Sequence, residues 1–275
     1  MAYHSATKED LAYTIHNPSG ATTVLLLHAL FSSPLEYEHI PARLPSTYRI
    51  LVPHLPQHSL SKFHQPFSLE LTTALLARLI TTHSPQQPVH LAGVDLGGFI
   101  ALSLVRKQPD LISSVLITGC YPYTPWQRTL ASYPSLMSWG LYLTIQSGLY
   151  RAAAATANVP KHQPLIHELL SNNTSDLAAR GYEAMRTWDA EETRDAALKD
   201  KRILVCASAS GDDVDATRTF AETLFGLGQG EGKETRAAVL RDGIHGWNLQ
   251  LPALFAETLE AWIEKKPLPE RLELL

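Results

Sequence analysis

Short apolar runs alternate with longer stretches of helical spacing along most of the chain, and this rhythm predicts an α/β sheet. The run 22–28 (TTVLLLH) is continuously apolar, as expected for a central strand covered on both faces. Residues 68–83 instead repeat leucines at helical spacing. The pattern predicts strands over 10–16, 22–28, 48–53, 88–94, 113–118, 201–207 and 235–240, and helices over 35–44, 68–83, 97–108, 214–225 and 248–265.

The alternation stops between residues 121 and 199. This stretch is helix-like and rich in Tyr and Trp, and the strand–helix rhythm resumes after it. An insertion inside an otherwise continuous α/β pattern predicts a cap laid over the carboxyl edge of the sheet. We therefore expect a core formed by 1–120 and 200–275, with 121–199 as a helical cap.

The composition is that of a folded globular protein, with 45% hydrophobic and 18% charged residues. The formal net charge is −4, so no basic excess exists to neutralise phosphates and we expect no nucleic-acid partner. The N-terminus lacks an apolar run and no apolar stretch reaches the length of a membrane span, so we expect neither a signal peptide nor a membrane partner. Cys120 and Cys206 cannot form a disulfide framework, which predicts a reducing, cytoplasmic location. The oligomeric state stays open, with a homodimer among the alternatives.

The most informative segment is 93–98 (GVDLGG), which lies between a predicted strand and a predicted helix. That context and spacing are typical of a nucleophile elbow, G-x-Nuc-x-G, where a sharp turn leaves no room for Cβ atoms. The middle side chain is Asp95, where an esterase carries serine. The alternative is that Asp95 only caps the following helix on an inactive elbow.

Four segments in order resemble the α/β-hydrolase fold over nearly the whole chain. They are LLHALF at 26–31, RILVPHLP at 49–56, the elbow at 93–98, and DGIHGW at 242–247, which follows an aspartate after a late strand. The order nucleophile, acid, histidine is the order of that family. The resemblance implies an α/β-hydrolase core whose mostly parallel sheet carries the helical cap.

An aspartate at the elbow resembles the branch of epoxide hydrolases and haloalkane dehalogenases. The resemblance implies that Asp95 attacks an electrophilic carbon, that His245 activates water against the resulting ester, and that Asp212 orients His245. The neighbouring Asp213 remains an alternative for the acid, because either residue of the pair is also placed to cap helix 214–225. The backbone N–H groups of Leu30 and Leu96 would then form the oxyanion hole.

The chain departs from both named groups. Haloalkane dehalogenases usually place Trp after the aspartate, where this chain has Leu96, and epoxide hydrolases commonly show His-Gly-x-Pro where this chain reads HALF at 28–31. Epoxide hydrolases also use cap tyrosines to bind the epoxide oxygen. The candidate donors in the cap are Tyr123, Tyr133, Tyr142, Tyr150 and Tyr182. We expect the cap tryptophans to pack within it and to line its pocket: Trp126, Trp139 and Trp188.

The resemblance thus implies a hydrolase that opens a small-molecule epoxide through an alkyl-enzyme ester, without a cofactor, in a setting such as polyketide or other secondary metabolism. Three alternatives stay open. One is a haloalkane dehalogenase, another is a cofactor-free lyase or isomerase in which Asp95 and His245 shuttle protons, and the third is a non-catalytic ligand-binding homologue.

Two further motifs are weak. The glycine-spaced segment 226–232 follows a helix and precedes a strand, the reverse of the order that a phosphate-binding loop needs, so we interpret it as a flexible connector. Three histidines invite a metal interpretation, but prolines break any helix that would align them, and we expect no metal. These are His54, His58 and His64.

Overall fold

The computed structural model describes residues 2–160, 162–199, 201–226 and 234–275, which form one nine-stranded sheet with helices. The strands are Ala2–His4 (β1), Tyr13–His16 (β2), Thr22–Leu27 (β3), Tyr48–Pro53 (β4), Val89–Val94 (β5), Ile112–Thr118 (β6), Arg202–Ser210 (β7), Thr235–Ile244 (β8) and Leu272–Leu274 (β9). Their order across the sheet is β1-β2-β4-β3-β5-β6-β7-β8-β9. Strands β3 to β8 are parallel, and β1, β2 and β9 pair antiparallel at the edges.

Helices form the two layers that cover this sheet, and further helices form the cap. They are Leu69–His83 (α1), Leu96–Lys107 (α2), Pro125–Ala131 (α3), Pro134–Gln146 (α4), Leu149–Thr156 (α5), Gln163–Asn172 (α6), Ser175–Arg186 (α7), Ala190–Thr193 (α8), Ala196–Lys199 (α9), Val214–Gly226 (α10), Trp247–Gln250 (α11) and Pro252–Ile263 (α12). Helices α3 to α9 lie between β6 and β7 in the chain. In the described parts of the chain, no helix is both long and apolar enough to cross a membrane.

The core lies on both faces of the sheet, as the apolar run of β3 predicted. Leu25 and Leu27 belong to one buried cluster, whereas Val24 and Leu26 belong to the other, and all four are fully buried. Because successive strand residues point to opposite faces, a strand buried on both sides must be apolar at every position. The predicted α/β class and the mostly parallel sheet are confirmed. Cys120 and Cys206 are both free and buried.

Several predicted bounds were wrong, and prolines explain two of them. The helix predicted over 35–44 is two short 3₁₀ turns, the second of which begins at Pro41. The helix predicted over 248–265 is interrupted at Leu251, just before Pro252, which cannot donate a backbone hydrogen bond. Strand β2 covers only the last part of 10–16.

The other corrections concern the ends of the sheet and one loop. Strands β7 and β8 extend beyond their predicted ends to Ser210 and Ile244. The edge strands β1 and β9, each three residues long, were not predicted. Of the segment 226–232, Gly226 ends α10, and the interpretation of the remainder as a connector concerns residues outside the described ranges.

Candidate active site

Asp95 sits at a strained turn between β5 and α2. Its φ of 51° and ψ of −119° are rare for a residue with a side chain. The turn needs glycines around it: a Cβ on Gly93 would lie 2.7 Å from the nitrogen of Gly98, and one on Gly97 would lie 2.9 Å from the carbonyl oxygen of His28. The elbow predicted from the sequence therefore has its expected backbone geometry, with Asp95 lining a cavity above the sheet edge.

The Asp95 carboxylate contacts the donors that the sequence assigned to the oxyanion hole. The Leu30 N–H donates to Oδ2 at 3.2 Å. Burial raises the pKa of Asp95, and the charge of His245 and the N–H groups of Leu96 and Leu30 oppose that rise. The side chain makes no capping hydrogen bond to α2. The geometry therefore does not favour the helix-cap alternative.

His245 and Asp212 form the second half of the site. His245 Nδ1 lies 2.6 Å from Asp212 Oδ1, and the other oxygen of Asp212 accepts hydrogen bonds from the Ser208 N–H and hydroxyl, both at 2.7 Å. Burial disfavours the charged imidazolium, but the hydrogen bond and charge of Asp212, with the charge of Asp95, raise the pKa of His245 to about 9. The Asp212 side chain is only 1% exposed, so its orientation is fixed by these partners.

Asp213, the alternative acid, has a different task. Its Oδ1 accepts a hydrogen bond from the Ala216 N–H at 2.9 Å in the first turn of α10. Its own N–H donates to the Tyr121 hydroxyl at 3.1 Å. The structure thus brings Asp212 to the histidine and makes Asp213 the cap of α10.

Gly119 is a residue of the site that sequence reasoning missed. Its φ is +60°, and a Cβ there would lie 2.7 Å from His245 Nδ1 and 3.3 Å from Asp212 Oδ1. Only a glycine leaves space for the histidine–aspartate pair at the end of β6. The sole sequence signal is a glycine directly after a predicted strand. Next to it, Thr118 accepts a 2.7 Å hydrogen bond from the Trp247 indole, which anchors the histidine segment to β6.

Two buried histidines shape the loop that carries the Leu30 N–H. His28 Nδ1 lies 2.9 Å from the Ala29 carbonyl, and His58 Nδ1 lies 2.9 Å from the Pro56 carbonyl. Because a carbonyl only accepts, both Nδ1 atoms carry the proton, and each Nε2 accepts a backbone N–H at 3.2 Å. Burial lowers the pKa of both rings, that of His58 to about 4, so both are neutral. They act as fixed supports of the loop.

The three histidines considered as metal ligands do not converge. His58 supports the loop, His64 Nε2 contacts the Asp10 carbonyl at 3.1 Å, and burial lowers the pKa of His54 to about 4. Within the part of the chain that the structure describes, no group of His, Cys, Asp and Glu is arranged to hold a metal ion.

Glu36 is a second residue that the sequence did not reveal. It is 4% exposed and lines the same cavity as Asp95 and His245. Its carboxylate accepts the Ala29 N–H at 2.9 Å and the Asn248 amide at 2.9 Å. Burial raises the pKa of Glu36, and these hydrogen bonds oppose the rise. Glu36 therefore joins the loop after β3 to the segment that carries the histidine.

A cavity of about 640 Å³ lies over the catalytic groups, between the sheet edge and the cap. Its cap wall is mostly apolar and includes Tyr123, Met137, Leu141, Tyr150 and Tyr182. The expectation for the aromatic residues was partly wrong, because several of them do not line this cavity and are largely exposed instead: Trp126, Tyr133, Trp139 and Tyr142.

Three of the five candidate tyrosines remain as donors toward a ligand. Burial raises the pKa of each phenol, and the charge of Asp95 adds to the rise for Tyr123 and Tyr182. The Tyr123 hydroxyl lies 3.5 Å from the sulfur of Met185. Among the described residues, the Tyr182 hydroxyl has no hydrogen-bond partner, so it is available to a molecule in the cavity.

Asn172 at the end of α6 connects the cap to the loop after β3. Its amide donates to the carbonyl oxygens of Phe31 at 3.0 Å and Ser32 at 2.9 Å, and its oxygen accepts the Ser59 N–H at 2.7 Å. The side chain is buried. This residue is called the cap latch below.

Comparison with known proteins agrees with this fold. A family model described as "alpha/beta hydrolase fold" matches residues 22–160. A protein of Gibberella zeae, named as an AB hydrolase superfamily protein, is 27% identical over 274 residues, which cover 98% of this chain and 89% of that protein. A pimeloyl-[acyl-carrier protein] methyl ester esterase of Neisseria meningitidis is 30% identical over 104 residues, 38% of this chain and 39% of that enzyme.

Solved structures resemble the whole chain at low identity. An α/β-hydrolase enzyme from a deep-sea metagenome library is 14% identical, with a TM-score of 0.73 and coverage of 98% and 99% of the two chains. The enol-lactonase of Burkholderia xenovorans is 15% identical, with a TM-score of 0.69 and coverage of 96% and 100%. With the fold, the elbow and the histidine–aspartate pair in place, the chain belongs to the α/β-hydrolase fold family, as a hydrolase.

Proposed function

We propose that the protein hydrolyses a small-molecule epoxide through a covalent ester on Asp95. The observation that carries the proposal is a carboxylate at the elbow, with the Leu30 N–H on one of its oxygens. A carboxylate is ionised near neutral pH and attacks an electrophilic carbon without a base. With Oδ2 held by the oxyanion donor, Oδ1 is the oxygen that attacks.

The first step forms the ester. Asp95 Oδ1 bonds to one epoxide carbon, the ring C–O bond breaks, and the alkoxide takes a proton from a tyrosine hydroxyl of the cap. Tyr182 is the first candidate for this donor because it lines the cavity, its hydroxyl lacks a partner among the described residues, and the charge of Asp95 adds to the rise of its pKa, which is not so for Tyr150. A donor aimed at a developing negative charge is most effective in an apolar, water-poor site.

The second step hydrolyses the ester. His245 takes a proton from water, and the hydroxide adds to the ester carbonyl carbon of Asp95. The Leu30 and Leu96 N–H groups stabilise the resulting oxyanion. Its collapse expels the substrate oxygen as an alkoxide, which takes the proton of the His245 imidazolium and leaves as a hydroxyl of the diol. The carboxylic acid formed on Asp95 gives its proton to the tyrosinate, so that both the carboxylate and the phenol are restored. Asp212 holds the ring in position and stabilises its charged form.

The charge of Asp95 makes the pKa of His245 depend on which step of the reaction has been reached. That charge helps to raise the pKa of His245 in the free enzyme. Esterification neutralises Asp95, which removes this contribution and lowers the pKa of His245. The histidine thus becomes a better base when the ester exists and water must be activated.

Dehalogenation is less well supported. Leu96 follows the nucleophile, is fully buried and has no side-chain donor for a halide. The names of two relatives, an esterase and an enol-lactonase, state chemistry on ester bonds. The second step proposed here, attack of water on an ester beside an oxyanion hole, is likewise the hydrolysis of an ester bond. A role in polyketide or other secondary metabolism and a cytoplasmic location stay predictions.

The test follows the oxygen atom through one turnover with excess enzyme in ¹⁸O-water. The first diol should carry ordinary oxygen at the new hydroxyl, and the label should enter the Asp95 carboxylate on a peptide spanning 93–98. Asp95→Asn, which keeps the shape of the side chain, serves as the control and should give neither product nor labelled peptide. Label in the first product would instead make Asp95 a general base for direct attack by water.

A trapping experiment separates the two steps. His245→Gln should accumulate an adduct of substrate mass on Asp95, detected by intact-protein mass spectrometry, because the ester forms but is not hydrolysed. The double variant with Asp95→Asn should show none. A variant that stays unmodified while the wild type turns over would point to proton-shuttling chemistry of a lyase or isomerase.

A further inference from the structure

The cap has a charge pattern unlike the rest of the chain. Between Asp110 and Glu168 there is no acidic residue, although the whole chain carries 27 acidic and 23 basic residues. The same stretch holds three cations, Arg128, Arg151 and Lys161. The first half of the cap therefore has a positive net charge on an otherwise acidic protein.

The same helices expose large apolar side chains. Seven of them, each at least 41% exposed, lie on α3, α4 and α5 or just before α4, and these helices pack against one another. We call this set the cap surface: Trp126, Tyr133, Leu136, Trp139, Tyr142, Leu143 and Leu149. Isolated exposed apolar residues need no explanation, but a cluster on adjoining helices marks an interaction site.

Helix α4 is apolar on both of its sides. Leu136, Trp139 and Leu143 recur at i, i+3 and i+7 and are exposed, whereas Met137 and Leu141 at i and i+4 line the catalytic cavity. The helix Pro134–Gln146 contains no charged residue. A helix with apolar residues all round is typical of one that is covered on both sides. Within the described ranges, nothing covers the outer side.

We propose that the cap surface docks on an anionic lipid surface, in contrast to the expectation from the sequence of no membrane partner. Tryptophan and tyrosine beside aliphatic residues favour the boundary between headgroups and acyl chains, and the exposed Arg151 on α5, in a segment without carboxylates, favours anionic lipid. A second copy of the chain fits less well, because a symmetric pair would bring together two positively charged segments that contain no carboxylate. Helix α4 has 13 residues, short of the roughly 20 that span a bilayer, so it lies along the surface.

This placement gives α4 two functions. One side faces lipid while the other forms the cavity wall through Met137 and Leu141. An apolar molecule dissolved in the membrane is then one helix away from the catalytic groups. The docking itself does not depend on the proposed epoxide chemistry.

Flotation with vesicles tests the proposal. The wild-type protein should float with phosphatidylcholine vesicles that contain about one third phosphatidylserine, and high salt should weaken this binding. Its tryptophan emission should shift to shorter wavelength on binding. The double variant Leu136→Ser with Trp139→Ser should bind at least about tenfold more weakly, because two apolar side chains no longer leave water. Phe225→Ser removes a comparably exposed aromatic residue on α10 and should bind as the wild type does.

Folding controls keep the result interpretable. Both variants should match the wild type in thermal unfolding and in turnover of a water-soluble substrate. Failure of the wild type to float, or equal binding to pure phosphatidylcholine, would overturn the proposal. A concentration-dependent dimer in vesicle-free solution that Leu136→Ser with Trp139→Ser abolishes would assign the cap surface to a second copy instead.

Discussion

The sheet edge and the cap contribute to the cavity in opposite ways. At the sheet edge, polar atoms have fixed partners: Asp212 is held by His245 and Ser208, and Glu36 is held by Ala29 and Asn248. The cap supplies mainly apolar walls and a few hydroxyl groups. Catalytic groups must be held in position before the substrate arrives, whereas a wall must only match its shape. From this difference we expect the core to carry out the reaction and the cap to select the substrate.

The strongest test of the core side uses its two adjacent aspartates. Asp212→Ala should lower turnover by about three orders of magnitude or more, because His245 loses the partner that orients it. Asp213→Ala should keep turnover and lose about 1 kcal/mol of the free energy of unfolding, the contribution of a helix cap. Steady-state kinetics and urea unfolding measure both. The reverse ranking would transfer the acid to Asp213.

In the cap, loss of a tyrosine hydroxyl in the cavity should slow ester formation, whereas loss of an exposed tyrosine hydroxyl should not. Tyr182→Phe removes the donor proposed for the epoxide oxygen and should slow ester formation by roughly 10- to 100-fold. Rapid mixing followed by mass spectrometry of the adduct measures this rate. Tyr142→Phe, at an exposed site outside the cavity, should leave it unchanged. Equal effects of both variants would mean that Tyr182 is not the proton donor.

Glu36→Gln probes the link between the two catalytic loops. The amide group cannot accept from both Ala29 and Asn248, so turnover should fall roughly tenfold. The charge of Glu36 also contributes to the raised pKa of His245, so the pH dependence of ester hydrolysis should move to lower pH. A purely structural defect would not move this profile. The matched control is Glu38→Gln, which removes a half-exposed carboxylate outside the cavity.

The smallest expected effect is the contribution of the charged His245, paired with Asp212, to the free energy of unfolding. The pKa of His245 rises in the folded state from its ordinary 6.5 to about 9, so the stabilisation is complete below pH 6.5 and is lost as the pH rises through 9. Because the imidazole is 45% exposed, solvent screening should keep the contribution below about 1 kcal/mol. Urea unfolding of the wild type and His245→Gln at pH values below 6.5 and above 9 measures this contribution. The difference between their free energies of unfolding should be smaller above pH 9 than below pH 6.5. A difference that grows toward alkaline pH would contradict the assigned ion pair.

The sequence predicted those parts of the site that depend on local chemistry. The glycines around Asp95 indicate the elbow because a tight turn restricts nearby residues whatever the remainder of the fold. The sequence favoured Asp212 but left Asp213 open, since the choice rests on how the turn after β7 presents one carboxylate to Ser208. Glu36 was equally hidden, because its partner Asn248 lies 212 positions further along the chain.

The cap was harder to predict because its pattern carries less information. Apolar residues at 126 and 139 predicted burial, yet both side chains face solvent. Helix α4 has apolar residues on all sides, so periodicity cannot identify its inner face. The sequence locates the inserted segment, but only packing shows which tyrosines face Asp95.

We expect the cap latch to couple substrate choice to reaction rate. Asn172 binds the carbonyls of Phe31 and Ser32, and the N–H of Leu30, one residue away from Phe31, is the donor proposed for the oxyanion. A molecule that pushes α6 outward therefore displaces the donor, and a molecule that fits leaves it in place. By reciprocity, a transition state that fixes the donor also strengthens the hold of the cap on its ligand. Discrimination between substrates should then be expressed in the rate constants of the covalent steps more than in binding affinity.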